Sequence, residues 1–234
     1  MRTSARVKIG LIATGAIVSL SAGLVAAPAA SSATRPVDIT GFSVKDMVFS
    51  SSGCKYNYVT AKGNVASTVD YFFADADVTR KGTLMTGAGF DEETDATRFL
   101  ICPGEGLGAY KVGPTNVYGE TADDSFDYLD GTTKTFYVRA KSIADISTAR
   151  KGKYVTVNVS AKYFKPTIDK YSYYSAAGVK IQRKTSSGWK TIKTVNLSKG
   201  KASYRYYQSA KASYRAVVPQ YTMTTSATSV TRVI

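Results

Sequence analysis

Val179-Lys180-Ile181-Gln182-Arg183, Trp189-Lys190-Thr191-Ile192-Lys193-Thr194-Val195, Ala202-Ser203-Tyr204-Arg205-Tyr206-Tyr207 and Ser213-Tyr214-Arg215-Ala216-Val217-Val218 follow one another in the chain, separated by Ser186-Ser187-Gly188, Ser198-Lys199-Gly200 and Ser209-Ala210-Lys211. Each run is short, rich in β-branched and aromatic residues, and alternates with a period near two. Each break carries glycine, serine or lysine. The pattern predicts a meander of antiparallel strands. The solvent-facing slots are filled by Lys, Arg and Tyr, so the expected product is a β-sandwich with a basic, tyrosine-rich exterior. By alternation Tyr204 and Tyr206 share one strand face, and Arg205 and Tyr207 the other. Trp189, just after its glycine turn, is expected to anchor the core.

Outward from this stretch, the charge is unevenly spread. The 234 residues carry a net charge of +14, yet residues 34–149 hold 11 Lys and Arg against 16 Asp and Glu. Residues 150–234 hold 17 Lys and Arg against Asp169 alone. Opposite signs in two halves point to separate modules with separate surface roles. A hydrophobic content of 44% allows a real core, and the length suits two sandwiches of roughly 100 residues each. There is no histidine. That removes the commonest general base, the Ser-His and Cys-His nucleophile pairs and the commonest neutral metal ligand. Catalysis by paired carboxylates or by Ser with Lys is what remains, and the chain is read as non-catalytic, with no cofactor and no metal site.

Residues 1–33 form a short basic start with Arg2, Arg6 and Lys8, an apolar run from Ile9 to Ala27, and small residues at Ala27-Pro28-Ala29 and Ser31-Ser32-Ala33. This is the plan of a secretory signal peptide. An uncleaved membrane anchor is the competing reading, weakened by the Gly, Ser and Thr that dilute the run. The mature chain is expected to begin near Thr34 and to be secreted. In an oxidising compartment Cys54 and Cys102 are expected to pair. Closing the ~49-residue loop between them stabilises by roughly 4 kcal/mol in the chain-entropy model.

The first mature module, residues 37–141, shows candidate strands at Ile39–Val44, Lys55–Thr60, Val69–Ala74, Thr97–Cys102, Ala109–Val112 and Thr135–Ala140. Gly- and Asn-bearing turns separate them, and no stretch sustains helical spacing. Its acids gather at Asp91-Glu92-Glu93-Thr94-Asp95, at Asp123, Asp124, Asp127 and Asp130, and at Asp75 and Asp77, which share one strand face. Oxygen ligands suit Ca²⁺, but the spacing does not follow the twelve-residue calcium loop, and solvated loop charge is the reading preferred. The polar run Ser142–Gly152 marks the boundary to the second module, residues 142–234, and is a candidate for its first edge strand. That module adds Tyr154–Val159 and a terminal strand near Val230–Ile234.

Leu107-Gly108-Ala109-Tyr110-Lys111-Val112 and Lys211-Ala212-Ser213-Tyr214-Arg215-Ala216 resemble the tyrosine corner of immunoglobulin-like sandwiches, in which a Tyr early in one strand bonds back to a nearby turn. Antibody domains place a Cys two residues after that Tyr. Val112 and Ala216 stand there instead, so the Cys54–Cys102 bond is expected to differ from the antibody inter-sheet bridge. The second module, through Lys151–Val157, Val179–Arg183, Gly188-Trp189 and Tyr214-Arg215, is similar to the bacterial immunoglobulin-like repeats of secreted actinobacterial proteins; the first half resembles them more loosely. The resemblance implies two tandem immunoglobulin-like β-sandwich domains acting as an extracellular binding or spacer module. It carries no catalytic residue and leaves the ligand open.

The functional expectation follows from the charge. A module this basic concentrates polyanions. Lys180, Arg183, Lys184, Lys190, Lys193, Lys199, Lys201, Arg205, Lys211 and Arg215 are the candidate binding residues. The expected partner is an anionic cell-wall polymer or an acidic glycan. Lys outnumbers Arg, which suits diffuse attraction rather than bidentate readout of nucleic-acid bases. A protein partner is the alternative, with the acidic half docked on the basic one.

Overall fold

The computed structural model describes residues 35–234; the signal-peptide expectation lies outside them. The first half contributes β1 (Val37–Val44), β2 (Met47–Phe49), β3 (Lys55–Val65), β4 (Val69–Arg80), β5 (Thr83–Asp91), β6 (Ala96–Ile101), β7 (Gly108–Thr121), β8 (Ser125–Asp130) and β9 (Lys134–Ala140). The second contributes β10 (Ser142–Lys151), β11 (Tyr154–Lys165), β12 (Lys170–Tyr173), β13 (Val179–Thr185), β14 (Gly188–Val195), β15 (Lys201–Tyr207), β16 (Ser213–Val218), β17 (Ala227–Thr228) and β18 (Arg232–Val233).

Both halves use one strand order. In the first, β1-β3-β6 face β2-β9-β7-β4-β5, with β2 parallel to β9 and β8 paired to β7. In the second, β10-β11 with β12 and β15 face β14-β13-β16 with β17 and β18. Setting aside the short extra strands, the first, second and fifth strands form one sheet and the fourth, third, sixth and seventh the other. That is the immunoglobulin Greek key, and the molecule is an all-β protein of immunoglobulin-like sandwiches. The expected meander is corrected by this order. The β13–β14 hairpin is real, but β15 crosses over to pair with β11. Tyr204 and Tyr206 on its inner face thereby look across the sandwich at Tyr214, where Tyr206 finds a hydroxyl partner.

Alternation decides what each strand buries. In β16 Tyr214, Ala216 and Val218 are buried while Ser213, Arg215 and Val217 are half-exposed. In β11 Val155, Val157, Val159 and Ala161 point in. The buried apolar side chains form two clusters, one around Phe49, Val59, Phe99, Tyr110 and Phe136, the other around Val155, Val157, Ile181 and Tyr214. Each fully buried side chain of this size contributes about 1.5–3 kcal/mol. Phe164, at the far end of β11, belongs to the first cluster.

Several elements exceed their expected bounds. β7 runs on past Val112 through Gly113, whose φ of 81° only glycine adopts without strain, and its extension pairs with β8. The acids expected in a loop at 123–130 are therefore divided. Asp123 and Asp124 form the turn, and Asp127 and Asp130 lie on β8. Trp189 is also not where the sequence places it. It is absent from the core cluster, which is anchored by Tyr214; Trp189 sits half-exposed on the outer face, because its partner in the ladder is Lys184.

Candidate functional site

Cys54 and Cys102 are bonded. They lie just before β3 and just after β6, where Lys55 pairs with Ile101, so the bridge clamps two neighbours within one sheet. Tyr110 is buried and donates its hydroxyl to the Gly106 carbonyl at 2.8 Å, and burial pushes its pKa up to about 12. Tyr214 differs from the corner expectation. Its hydroxyl meets that of Tyr206 at 2.7 Å rather than a backbone carbonyl, because the turn before β16 is held elsewhere. There Arg150 binds the carbonyls of Gln208, Ser209 and Ala210. Burial, and then the bond to Tyr214, raise the Tyr206 pKa well above the ordinary phenol range.

The ten candidate cations do not form one plate. Lys180, Lys184 and Arg215 project from the outer face of the β14-β13-β16 sheet, where Gln182 faces Arg215 in the ladder. Arg215 spreads over the Trp189 ring at 4.4 Å and donates to Gln182 Oε1 at 2.7 Å. Lys201 and Arg205 belong to the outer face of the opposite sheet. Arg183, Lys190 and Lys193 lie along the rim between β14 and β15. There Arg183 bonds Gln208 Oε1, and the Lys193 amine lies 5.7 Å from the Tyr204 ring centre. Lys199 and Lys211 are exposed in loops. The positive surface thus wraps around the β14/β15 edge rather than covering a single sheet. The cause is the crossover of β15.

The charge on this half is held by neutral groups. The ion pairs among the described residues are Arg35–Asp130 at 3.0 Å and Arg139–Asp46, both in the first half. Burial alone would favour protonation of Asp130. The Thr132 and Ile39 backbone N–H groups, the Thr132 hydroxyl and the Arg35 guanidinium outweigh it and hold the carboxyl below its ordinary pKa. Asp46 is held low likewise, against its burial, by Arg139 and the Tyr137 N–H. Asp130 is thus a structural anchor tying β8 to the start of β1. Among the described residues no group of three His, Cys, Asp or Glu side chains is placed to hold a metal ion. Asp75 is exposed and Asp77 half-exposed on the outer side of β4.

Sequence reasoning overlooked a surface. The outer face of the β10-β11-β15 sheet carries Tyr154, Tyr173 and Tyr207, each about half exposed. Arg205 lies 4.9 Å from the Tyr154 ring centre, and Lys162 and Lys201 lie 4.8 Å and 5.0 Å from that of Tyr173. The signal was present as alternation in β11, where Tyr154, Thr156, Asn158, Ser160 and Lys162 occupy every second place. A separate cleft of about 420 Å³ is lined by Leu107, Tyr163, Tyr174, Tyr221 and Met223.

No family model matches the chain, and no curated protein matches it. Among solved structures it is similar to the human OSCAR ligand-binding domain, at 8% identity and a TM-score of 0.29 over 83% of this chain and 97% of that one. It is similar to the D00-D0 domain of intimin, at 11% identity and a TM-score of 0.26 over 85% of this chain and 98% of that one. It is also similar to the apo structure of Bacteroides uniformis beta-glucuronidase 3, at 11% identity and a TM-score of 0.26, over 86% of this chain but 25% of that one. Likeness at this level carries no ligand or activity. The class is set by the strand order itself, that of immunoglobulin-like β-sandwich proteins.

Proposed function

We propose that the protein is a secreted, non-catalytic binding protein whose basic second half holds an anionic polymer of the cell exterior, a cell-wall polymer or an acidic glycan. One observation carries this reading. The 17 Lys and Arg of the second half, residues 142–234, face two acids, Asp145 and Asp169, and the ion pairs among the described residues involve none of them. Guanidinium and ammonium groups resting on tyrosine rings and amides are not offset by carboxylates, so the field around this half is available to an outside partner. Plain solubility accounts for some lysines on strand exteriors, but mixed signs would serve it equally well. The wrapping of charge around the β14/β15 edge suits a long, flexible polymer better than a compact anion.

The test is a titration of the full mature chain with purified wall polymer at rising ionic strength. Binding is expected to fall steeply between about 50 and 500 mM salt, the range over which the Debye length shrinks several-fold. Binding indifferent to salt, or none, would remove the proposal.

A second reading has its own observation. The cleft of about 570 Å³ in the first half has a floor that includes Phe72 and Phe90 and a rim of Asp91, Glu92, Glu93 and Asp95. An acidic rim over an apolar floor complements a basic surface, so the acidic half of one copy would seat the basic half of another. Sedimentation at low salt separates the two readings: salt-sensitive self-association of the chain alone supports the second.

A further inference from the structure

We propose that the outer face of the β10-β11-β15-β12 sheet is the platform on which the polymer lies, and that it takes a single extended polysaccharide in which acidic and neutral sugars alternate. This rests on the polyanion-binding reading and gives it a surface and a ligand class.

Eight residue steps of β11 separate Tyr154 from Lys162, which at a strand rise of about 3.3 Å is about 26 Å. At one end Arg205 lies over Tyr154, with Tyr207 set edge-on to the same ring at 5.8 Å. At the other end Lys162 and Lys201 both approach Tyr173. Aromatic side chains exposed on one face, with cations beside them, suit ring-shaped ligands that carry negative substituents. Between the ends the face is lined by Thr156, Asn158, Ser160, Ser147 and Ser203, the hydroxyl and amide groups that hydrogen-bond sugar hydroxyls. A trough of about 520 Å³ runs over this floor.

The placement of charge selects among polymers. Lys201 and Arg205 are four steps apart on β15, about 13 Å. No cation projects from the floor between them, and Asp145 stands beside Ser160 on the neighbouring strand. A chain charged at every unit, such as single-stranded nucleic acid, would bring phosphates against Asp145. A polysaccharide with a neutral ring between acidic ones sets its carboxylates against the cations and its hydroxyls against the floor.

The experiment uses the full mature chain and calorimetric titration with hyaluronan oligosaccharides, which alternate glucuronate with an N-acetylated neutral sugar. Neutral cello-oligosaccharides and oligo(dT) serve as comparison ligands. Hyaluronan is expected to bind, Tyr154→Ala and Arg205→Ala each to weaken it about tenfold or more, as losing one stacking platform does for bases, and Tyr154→Phe to retain it. Lys134→Ala, an exposed cation of the first half, is expected to leave it unchanged. Tyr154, Tyr173, Lys134, Lys184 and Arg205 are all exposed, and unchanged thermal midpoints verify folding. Equal affinity in Tyr154→Ala, Arg205→Ala and Tyr173→Ala, with loss in Lys184→Ala, would overturn this platform and leave the polyanion reading standing. Tighter oligo(dT) binding through the same residues, or equal binding of the neutral oligosaccharide, would overturn the ligand class. Absence of binding to any polyanion would remove both proposals together.

Discussion

Tyr110 and Tyr214 hold equivalent places in the two sandwiches and solve the same problem differently. A phenol ring fills the core, and its hydroxyl must find a partner because an unmet buried donor costs more than a met one returns. Tyr110 finds the Gly106 carbonyl, and Tyr214 finds Tyr206. Tyr110→Phe is therefore expected to lower stability by about 1 kcal/mol, the net worth of one hydrogen bond, measured by urea denaturation. Tyr214→Phe should cost less. The Tyr206 hydroxyl it abandons belongs to a half-exposed residue beside the Arg183 guanidinium. Gly200 is another residue whose identity is dictated locally. Its φ is 77°, and a Cβ there would meet Tyr173 Cβ at 2.6 Å. Gly200→Ala should both destabilise the turn and displace Tyr173, so on the proposed platform polymer binding should weaken along with the thermal midpoint.

Among the elements, strands with a clear period of two were readable and their partners were not. Val179–Arg183, Trp189–Val195, Ala202–Tyr207 and Ser213–Val218 are all strands in the structure, because each places β-branched or aromatic residues on one side. Alternation cannot say which sheet a strand joins, and so the crossing of β15 was hidden. β7 runs past Val112 because tertiary pairing with β4 and β8 carries the strand through Gly113-Pro114, a pair of turn-forming type. Trp189 was misplaced for a related reason. A one-residue bulge in β14 lies between the pairs Ile181–Lys193 and Gln182–Thr191, and it sets which face each side chain takes. The acidic residues were visible as a group, but Asp130 as a buried anchor depends on Arg35, which is remote in sequence. At this scale the disulfide makes a testable statement. With a sequence separation of 48, its removal in Cys54→Ser/Cys102→Ser should destabilise by roughly 4 kcal/mol in the chain-entropy model. Denaturant unfolding of the oxidised protein against the double variant reads this directly.

For the whole molecule, pH acts on the halves unequally. Asp46 and Asp130 have folded pKa values below their ordinary value of 3.8. Their contribution is therefore complete above about pH 4 and is lost as pH falls through the lowered values. Tyr110 is the opposite case. Its raised pKa means a contribution present below about pH 10 and lost as pH rises towards about 12. Thermal midpoints measured across pH should thus be flat between these limits, and the acid decline should be shallower in Asp130→Asn. Both of these carboxylates lie in the first sandwich, so acid should raise backbone hydrogen exchange there.

β11 begins among the side chains of one core, at Val155, and finishes in another, at Phe164. The junction is further stitched by the bond from the Phe164 N–H to the Lys141 carbonyl and by the exchange between Ala140 and residues 223–225. One unbroken strand is thus a shared girder between the two cores. Cutting the chain at residue 141 would leave a bare phenylalanine and loose backbone ends on the released fragment.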